Sequence, residues 1–141
     1  MPGISRLAQG LGYAGLVPFV GLSALDIISG NEFFAGLLLL YSLLIASFLG
    51  GVHWPIALQK GHVRQLYLAM LPTLISFALS AAGLWLSPMF IFAGFILLFW
   101  GLYAMDHLFL REEFLPFTGY LRFRLILTSV VTLSLAAAAI L

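Results

Sequence analysis

The sequence predicts an all-α membrane protein: a compact bundle of five transmembrane helices, N-terminus inside and C-terminus outside. Three observations lead there. Of 141 residues, 63% are hydrophobic and 8% charged, with a mean hydropathy of +1.15. A soluble domain carries about 25% charged residues, so too few charges exist here to cover a water-facing surface. That excludes a soluble enzyme and a disordered chain alike. Second, apolar runs recur at about 20 residues, the length that crosses a hydrocarbon core about 30 Å thick. Third, the cations sort to one side of a five-span arrangement.

The spans are read at residues 7–28, 33–58, 66–86, 89–110 and 120–141, within one domain covering 1–141. Arg6 precedes the first, whose apolar run is interrupted by Gly12, Gly15 and Pro18. No small-x-small cleavage site follows, so it reads as a retained helix, not a signal peptide. Ser29-Gly30-Asn31-Glu32 supplies a turn into the second span, with Gly30 and Asn31 as turn formers. Residues 59–65 join the second and third spans. Ser87-Pro88 joins the third and fourth, and Pro88 suits the first turn of a helix. Residues 111–119 join the last pair. Connections this short make consecutive helices antiparallel neighbours.

Orientation follows from the cations. Arg6, then Lys60 and Arg64, then Arg111, Arg122 and Arg124 all fall on one side. The positive-inside rule makes that side cytoplasmic, or matrix in a mitochondrion. The expected location is the bacterial cytoplasmic (inner) membrane, or the mitochondrial inner membrane in a eukaryote.

Small residues mark helix contacts in lipid, where no hydrophobic drive holds helices together. Ala69, Thr73, Ser76, Ser80, Gly83 and Ser87 form a three-four seam on span three. Ser42, Ala46 and Gly50 recur at intervals of four on span two, Ser129, Thr132, Ala136 and Ala139 repeat the three-four pattern on span five, and Ser5, Ala8, Gly12 and Gly15 open span one. Pro18, Pro55 and Pro72 lie inside spans, each freeing the carbonyl four residues earlier, at Ala14, Gly51 and Leu68. Such a carbonyl takes a neighbouring hydroxyl as partner or lines a polar site.

Ionisable residues within spans are functional candidates by default. At 1.5 Å per residue, His53 lies roughly 30 Å along span two and His107 roughly 27 Å along span four, both near the inner end. Tyr13, His53, Trp54, Asp106, His107 and Arg122 therefore reach one membrane level, and they form a candidate polar pocket in the inner leaflet. Helical phase puts His53 on the face of Ser42 and Ala46, toward protein. Tyr103, Asp106 and His107 read as a polar stripe on span four. Asp106 requires a cation or donor, with Arg122, Arg124 or His53 as its partner. The competing reading is structural: Trp54, Tyr103 and Tyr120 as an interfacial belt, Asp106 and His107 ending their span in headgroup water, and His53 as a hydrogen-bonded core residue.

No catalytic or metal residue is assigned. Nucleophile-elbow, zinc-protease, P-loop and dinucleotide motifs are lacking. The absence of cysteine excludes disulfides and thiolate metal sites. A formal net charge of +1 gives no field for nucleic acid. As cofactors, haem and quinone remain: two histidines at one depth could ligate a haem, but short loops and large apolar side chains leave little evident room.

Three segments resemble a known family. Gly12-Tyr13-Ala14-Gly15-Leu16-Val17-Pro18-Phe19 looks like its opening, Ser47-Phe48-Leu49-Gly50-Gly51-Val52-His53-Trp54 like its most distinctive motif, and Tyr120-Leu121-Arg122 through Leu127-Thr128 like its closing segment. This is the uncharacterised small multi-pass membrane family, a domain of unknown function, that includes mitochondrial transmembrane protein sixty-nine. Pro55 stands here where the family pattern often has glycine. The resemblance implies a helical inner-membrane protein and no activity. The expectation is a non-enzymatic protein that binds a lipid-like small molecule or a membrane-protein partner through the inner-leaflet polar cluster. The alternatives are a structural accessory or assembly subunit of a membrane complex, and a transporter or channel acting as a homo-oligomer.

Overall fold

Local chemistry delimits the helices. The computed structural model describes residues 2–110 and 119–141, with side chains from residue 6 onward. The helices are α1 (Pro2–Ser29), α2 (Glu32–Gly51), α3 (His53–Lys60), α4 (Val63–Ala82), α5 (Pro88–Phe109) and α6 (Tyr120–Ile140). Gly30 ends α1 at φ 64°, a left-handed conformation that costs glycine nothing. The Asn31 side chain then caps α2 by accepting from the Phe33 N–H at 3.0 Å. Gly61 closes α3 at φ 68°, and the His62 N–H returns to the Ala57 carbonyl at 3.0 Å. Pro88 occupies the first turn of α5. The loop read at 111–119 lies, except for Gly119, outside the described residues.

Five of these units are long and apolar enough to cross a membrane, and 32–60 counts as one of them. Within it the hydrogen-bond ladder breaks at Val52, since Pro55 cannot donate to the Gly51 carbonyl. Val52 keeps right-handed helical angles (φ −61°, ψ −31°), so α2 passes almost directly into α3. Span three is shorter than its apolar run. The helix stops at Ala82, and 83–86 turn back before Pro88.

The five units close into a ring in which α1 touches α2, α2 and α3 touch α4, α4 touches α5, α5 touches α6, and α6 returns to α1. Four antiparallel steps, an even number, leave α1 and α6 parallel. Gly12 meets the Phe123 ring near one end, and the Ser23 hydroxyl donates to the Ser134 carbonyl at 2.7 Å toward the other. The same separation of 111 residues applies at both places, so the two helices run side by side in constant register. Ring closure brings Arg6, Lys60, Arg64, Arg122 and Arg124 to one end, hereafter the basic end.

Phe92, Phe95, Phe99 and Leu102 of α5 form the middle of the core, against Phe19 of α1, Leu38 and Ala46 of α2, and Val131 and Leu135 of α6. Phe19 lies edge-on to both Tyr41 and Phe99, with ring centroids 4.9 and 5.8 Å away. The Tyr41 hydroxyl donates to the Gly15 carbonyl at 2.8 Å, one residue from the carbonyl that Pro18 frees.

The small-residue seams meet different fates. On α2, Ser42, Ala46 and Gly50 are all buried. Gly50 admits Pro72: a Cβ there would lie 2.7 Å from Pro72 Cγ and 2.9 Å from its Cβ. On α4 the buried line is Gln65, Ala69, Pro72 and Ser76, while Thr73 and Gly83 are exposed and Ser80 only half-buried. The expected seam is corrected there, because Pro72 fits the recess at Gly50 and turns Thr73 outward. On α6 the buried face is Phe123, Arg124, Thr128, Val131, Ser134 and Leu135, and Ser129, Thr132, Ala136 and Ala139 flank it half-buried. Large side chains fill that contact because α5 and α1 leave room for them.

Candidate functional site: a buried ion-pair cluster beside an apolar cavity

Helical phase builds the cluster. On α5, Asp106 continues the buried line of Phe95, Phe99 and Leu102 at intervals of four and three. On α3, His53 and Ala57 prolong the buried line of α2. Gln65 heads the line of Ala69, Pro72 and Ser76 on α4, and Arg124 heads that of Thr128, Val131 and Leu135 on α6. Four inward faces thus deliver one polar residue each to the same level. None is more than 4% exposed.

These residues form a continuous chain. Arg124 Nε donates to Asp106 Oδ2 at 2.7 Å, and His53 Nε2 meets Asp106 Oδ1 at 2.9 Å. Gln65 Nε2 meets His53 Nδ1 at 3.0 Å. Both imidazole nitrogens are thus engaged, Nε2 by Asp106 and Nδ1 by the Gln65 amide, whose Oε1 is buried without a partner. Arg124 and Asp106 form the ion pair, with both side chains 5% exposed. Phe109 stands perpendicular to the imidazole, with centroids 6.4 Å apart. Both ring nitrogens are occupied, which leaves His53 no lone pair for a haem iron. Among the described residues, no three of His, Cys, Asp and Glu gather as a metal site.

Of the six residues expected to share a pocket, the structure brings His53 and Asp106 together. The other four point elsewhere. Trp54 is 41% exposed and Tyr13 46%. His107 and Arg122 are exposed as well. At about 100° per residue, Trp54 and His107 are turned a quarter-circle from the buried neighbours they follow, and Arg122 lies nearly opposite Arg124. The stripe of Tyr103, Asp106 and His107 divides accordingly, with only Asp106 buried. Tyr13 packs edge-on against Phe123 at 5.1 Å, beside the cluster instead of within it.

Gln65 falls in the 59–65 connection of the sequence reading, so sequence reasoning misses it. The signal was available in its phase with Ala69, Pro72 and Ser76. Arg124 is a partner of Asp106 by sequence but lies outside the six residues of the expected pocket. Its phase with Thr128 and Val131 separates it from Arg122.

Beside the cluster, toward α1, lies a cavity of about 400 Å³. Its floor is buried Phe19, Phe99, Phe123, Thr128 and Val131, and its rim includes exposed Leu11 and Phe48. It opens between the basic-end halves of α1 and α2. Its one charged lining residue is Arg124. The guanidinium gives Nε to Asp106, while its buried Nη2 has no hydrogen-bond partner.

A family model described as a protein of unknown function (DUF3429) matches residues 4–140. The chain belongs to this family. Comparison of this DUF3429 chain with curated proteins and with solved structures returned no match. The family description carries no activity, so function rests on the geometry.

Proposed function

We propose that this DUF3429 protein is a non-enzymatic membrane protein that holds a lipid-like small molecule in the cavity between α1, α2 and α6. Its setting is a bacterial cytoplasmic membrane or a mitochondrial inner membrane, with the basic end toward the cytoplasm or matrix. The observation that carries the reading is an apolar cavity of about 400 Å³ whose one charged lining residue is Arg124. An apolar cleft with few placed polar groups is the usual form of a small-molecule site. The ion-pair cluster is then the support of the site: Asp106, held by His53 and Gln65, fixes the guanidinium in place. Neither Asp106 nor His53 lines the cavity, so neither touches a ligand held there.

Native mass spectrometry of the gently solubilised protein tests this. A retained lipid-like mass at one per chain is expected. It should be lost in Ala8→Trp, which fills the cavity from an exposed rim position. Retention of the same mass by Ala8→Trp would show that the cavity is not the site.

A further inference from the structure

The helical hairpin made by α3 and the first half of α4 is held differently from the rest of the bundle. Between His53 and Leu71 the buried residues are His53, Ala57, Gln65 and Ala69. Two are polar and two are alanines, whereas α5 buries Phe92, Phe95, Phe99 and Leu102. The large apolar side chains of the hairpin, Trp54, Leu58, Val63, Tyr67, Met70 and Leu71, are exposed. Facing acyl chains, they give no drive for helix association. α3 packs against α2 and α4. Contacts of α4 with α5 through Leu79 at Gly94 and Gly83 at Ile91 lie at the other end of α4. At the basic end the hairpin is fastened to α5 through His53. Its Nε2 meets Asp106 Oδ1 at 2.9 Å, its ring stands against Phe109, and Gln65 joins it at Nδ1, 3.0 Å away.

Both arms of the hairpin are weakened at the base. On one, the ladder breaks at Val52, where Pro55 has no N–H for the Gly51 carbonyl. On the other, Pro72 leaves the Leu68 carbonyl without its N–H. Pro72 sits in the recess at Gly50, so the two weak points lie side by side at one level. Beyond that level each arm runs about eight residues, roughly 12 Å, and Gly61 joins them. Few buried apolar contacts mark a unit that opens locally, and paired weak points at its base give it a hinge. We propose that residues 53–71 form a hinged flap, latched shut by the His53–Asp106 bond, whose opening brings Ala57 and Asp106 into contact with water at the basic end. No residue of 53–71 lines the cavity, so the flap stands apart from whatever the cavity holds.

Hydrogen–deuterium exchange of the full chain in detergent micelles, read segment by segment by mass spectrometry, tests this. His53→Leu removes the latch and leaves Arg124 paired with Asp106. Amides of 56–71 should then exchange about tenfold faster or more, the factor that one hydrogen bond to a charged group makes. Amides of 90–105, in the Phe-lined core, should change by less than about twofold. The chain has no cysteine, so Ala57→Cys places a single thiol on the buried face of the flap, at a position 2% exposed. Its reaction with a water-soluble thiol reagent should accelerate about tenfold or more when His53→Leu is added. Pro55→Ala, at an exposed position, supplies the N–H that the Gly51 carbonyl lacks and should slow exchange in 56–71 by about threefold or more. Equal acceleration of 56–71 and 90–105 by His53→Leu would mean that the whole bundle had lost stability, and would overturn the flap. An unchanged rate at 56–71 or at the Ala57→Cys thiol would overturn it too. Should His53→Leu fail to fold, Pro55→Ala decides, since exchange as fast as in wild type would show that Val52 is no hinge.

Discussion

Replacing Asp106 by Ala removes the acceptor shared by Arg124 and His53. Two bonds are lost, at 2.7 and 2.9 Å, and bonds to charged groups are worth about 1.5–3 kcal/mol each. The larger consequence is the guanidinium that remains. Both side chains of the ion pair are only 5% exposed, so solvent screens little, and a buried pair broken on one side costs about 3–5 kcal/mol. We expect Asp106→Ala to fall in that range. Replacing both partners, as Asp106→Leu with Arg124→Leu, removes the stranded guanidinium and leaves His53 Nε2 without its Asp106 partner, about 1–3 kcal/mol. The double variant should therefore be more stable than the single one, although it carries one more substitution. Reversible unfolding of the detergent-solubilised protein, followed by helical circular dichroism, measures both. The reasoning is refuted if Asp106→Ala lies within about 1 kcal/mol of wild type, or if the double variant is the less stable of the two.

Three further outcomes are expected. Gly50→Val drives a side chain into Pro72 and the Ala69 carbonyl and should cost about 1–3 kcal/mol, whereas Gly36→Ala, with nothing within 4 Å, should gain up to about 1 kcal/mol of helix propensity; equal melting temperatures would contradict the tight α2–α4 contact. Ser76→Leu on the buried line of α4 should destabilise by about 1–3 kcal/mol, and Thr73→Leu on the exposed face far less; the reverse order would restore the seam read from small residues alone. Cysteines placed at Gly30 and Ser87 should react with an impermeant thiol reagent in intact cells, and one at Gly61 should not; labelling at Gly61 would invert the proposed orientation.

Much of the bundle was legible because a bilayer admits few solutions. Backbone polar groups must be satisfied within each segment, so long apolar runs become helices, and short connections such as Gly30-Asn31 and Ser87-Pro88 make them alternate. Composition alone sets the class. The inward turn of His53 was also legible, since Ser42, Ala46 and His53 share a phase on nearly continuous helices and the contact face of α2 is made of small residues. The same logic failed on α4 and α6. There the contact face is chosen by the neighbours, by Gly50 admitting Pro72 and by the space that α1 and α5 leave for Phe123, Thr128 and Leu135. Of the expected seams, Ala69 and Ser76 stay in the interface, whereas Thr73 and Ser80 on α4 and Ser129, Thr132, Ala136 and Ala139 on α6 lie beside it.

Depth counting could bring six polar residues to one membrane level, but depth is one coordinate of three. Which residues meet is set by rotation about each helix axis, and one residue of phase separates Asp106 from His107 and His53 from Trp54. Those rotations are fixed by side-chain packing across the ring. That packing also selected Arg124 over Arg122 and drew Gln65 to His53. The cavity beside Arg124 has no signature in any one segment, because a void is what five packed helices leave between them.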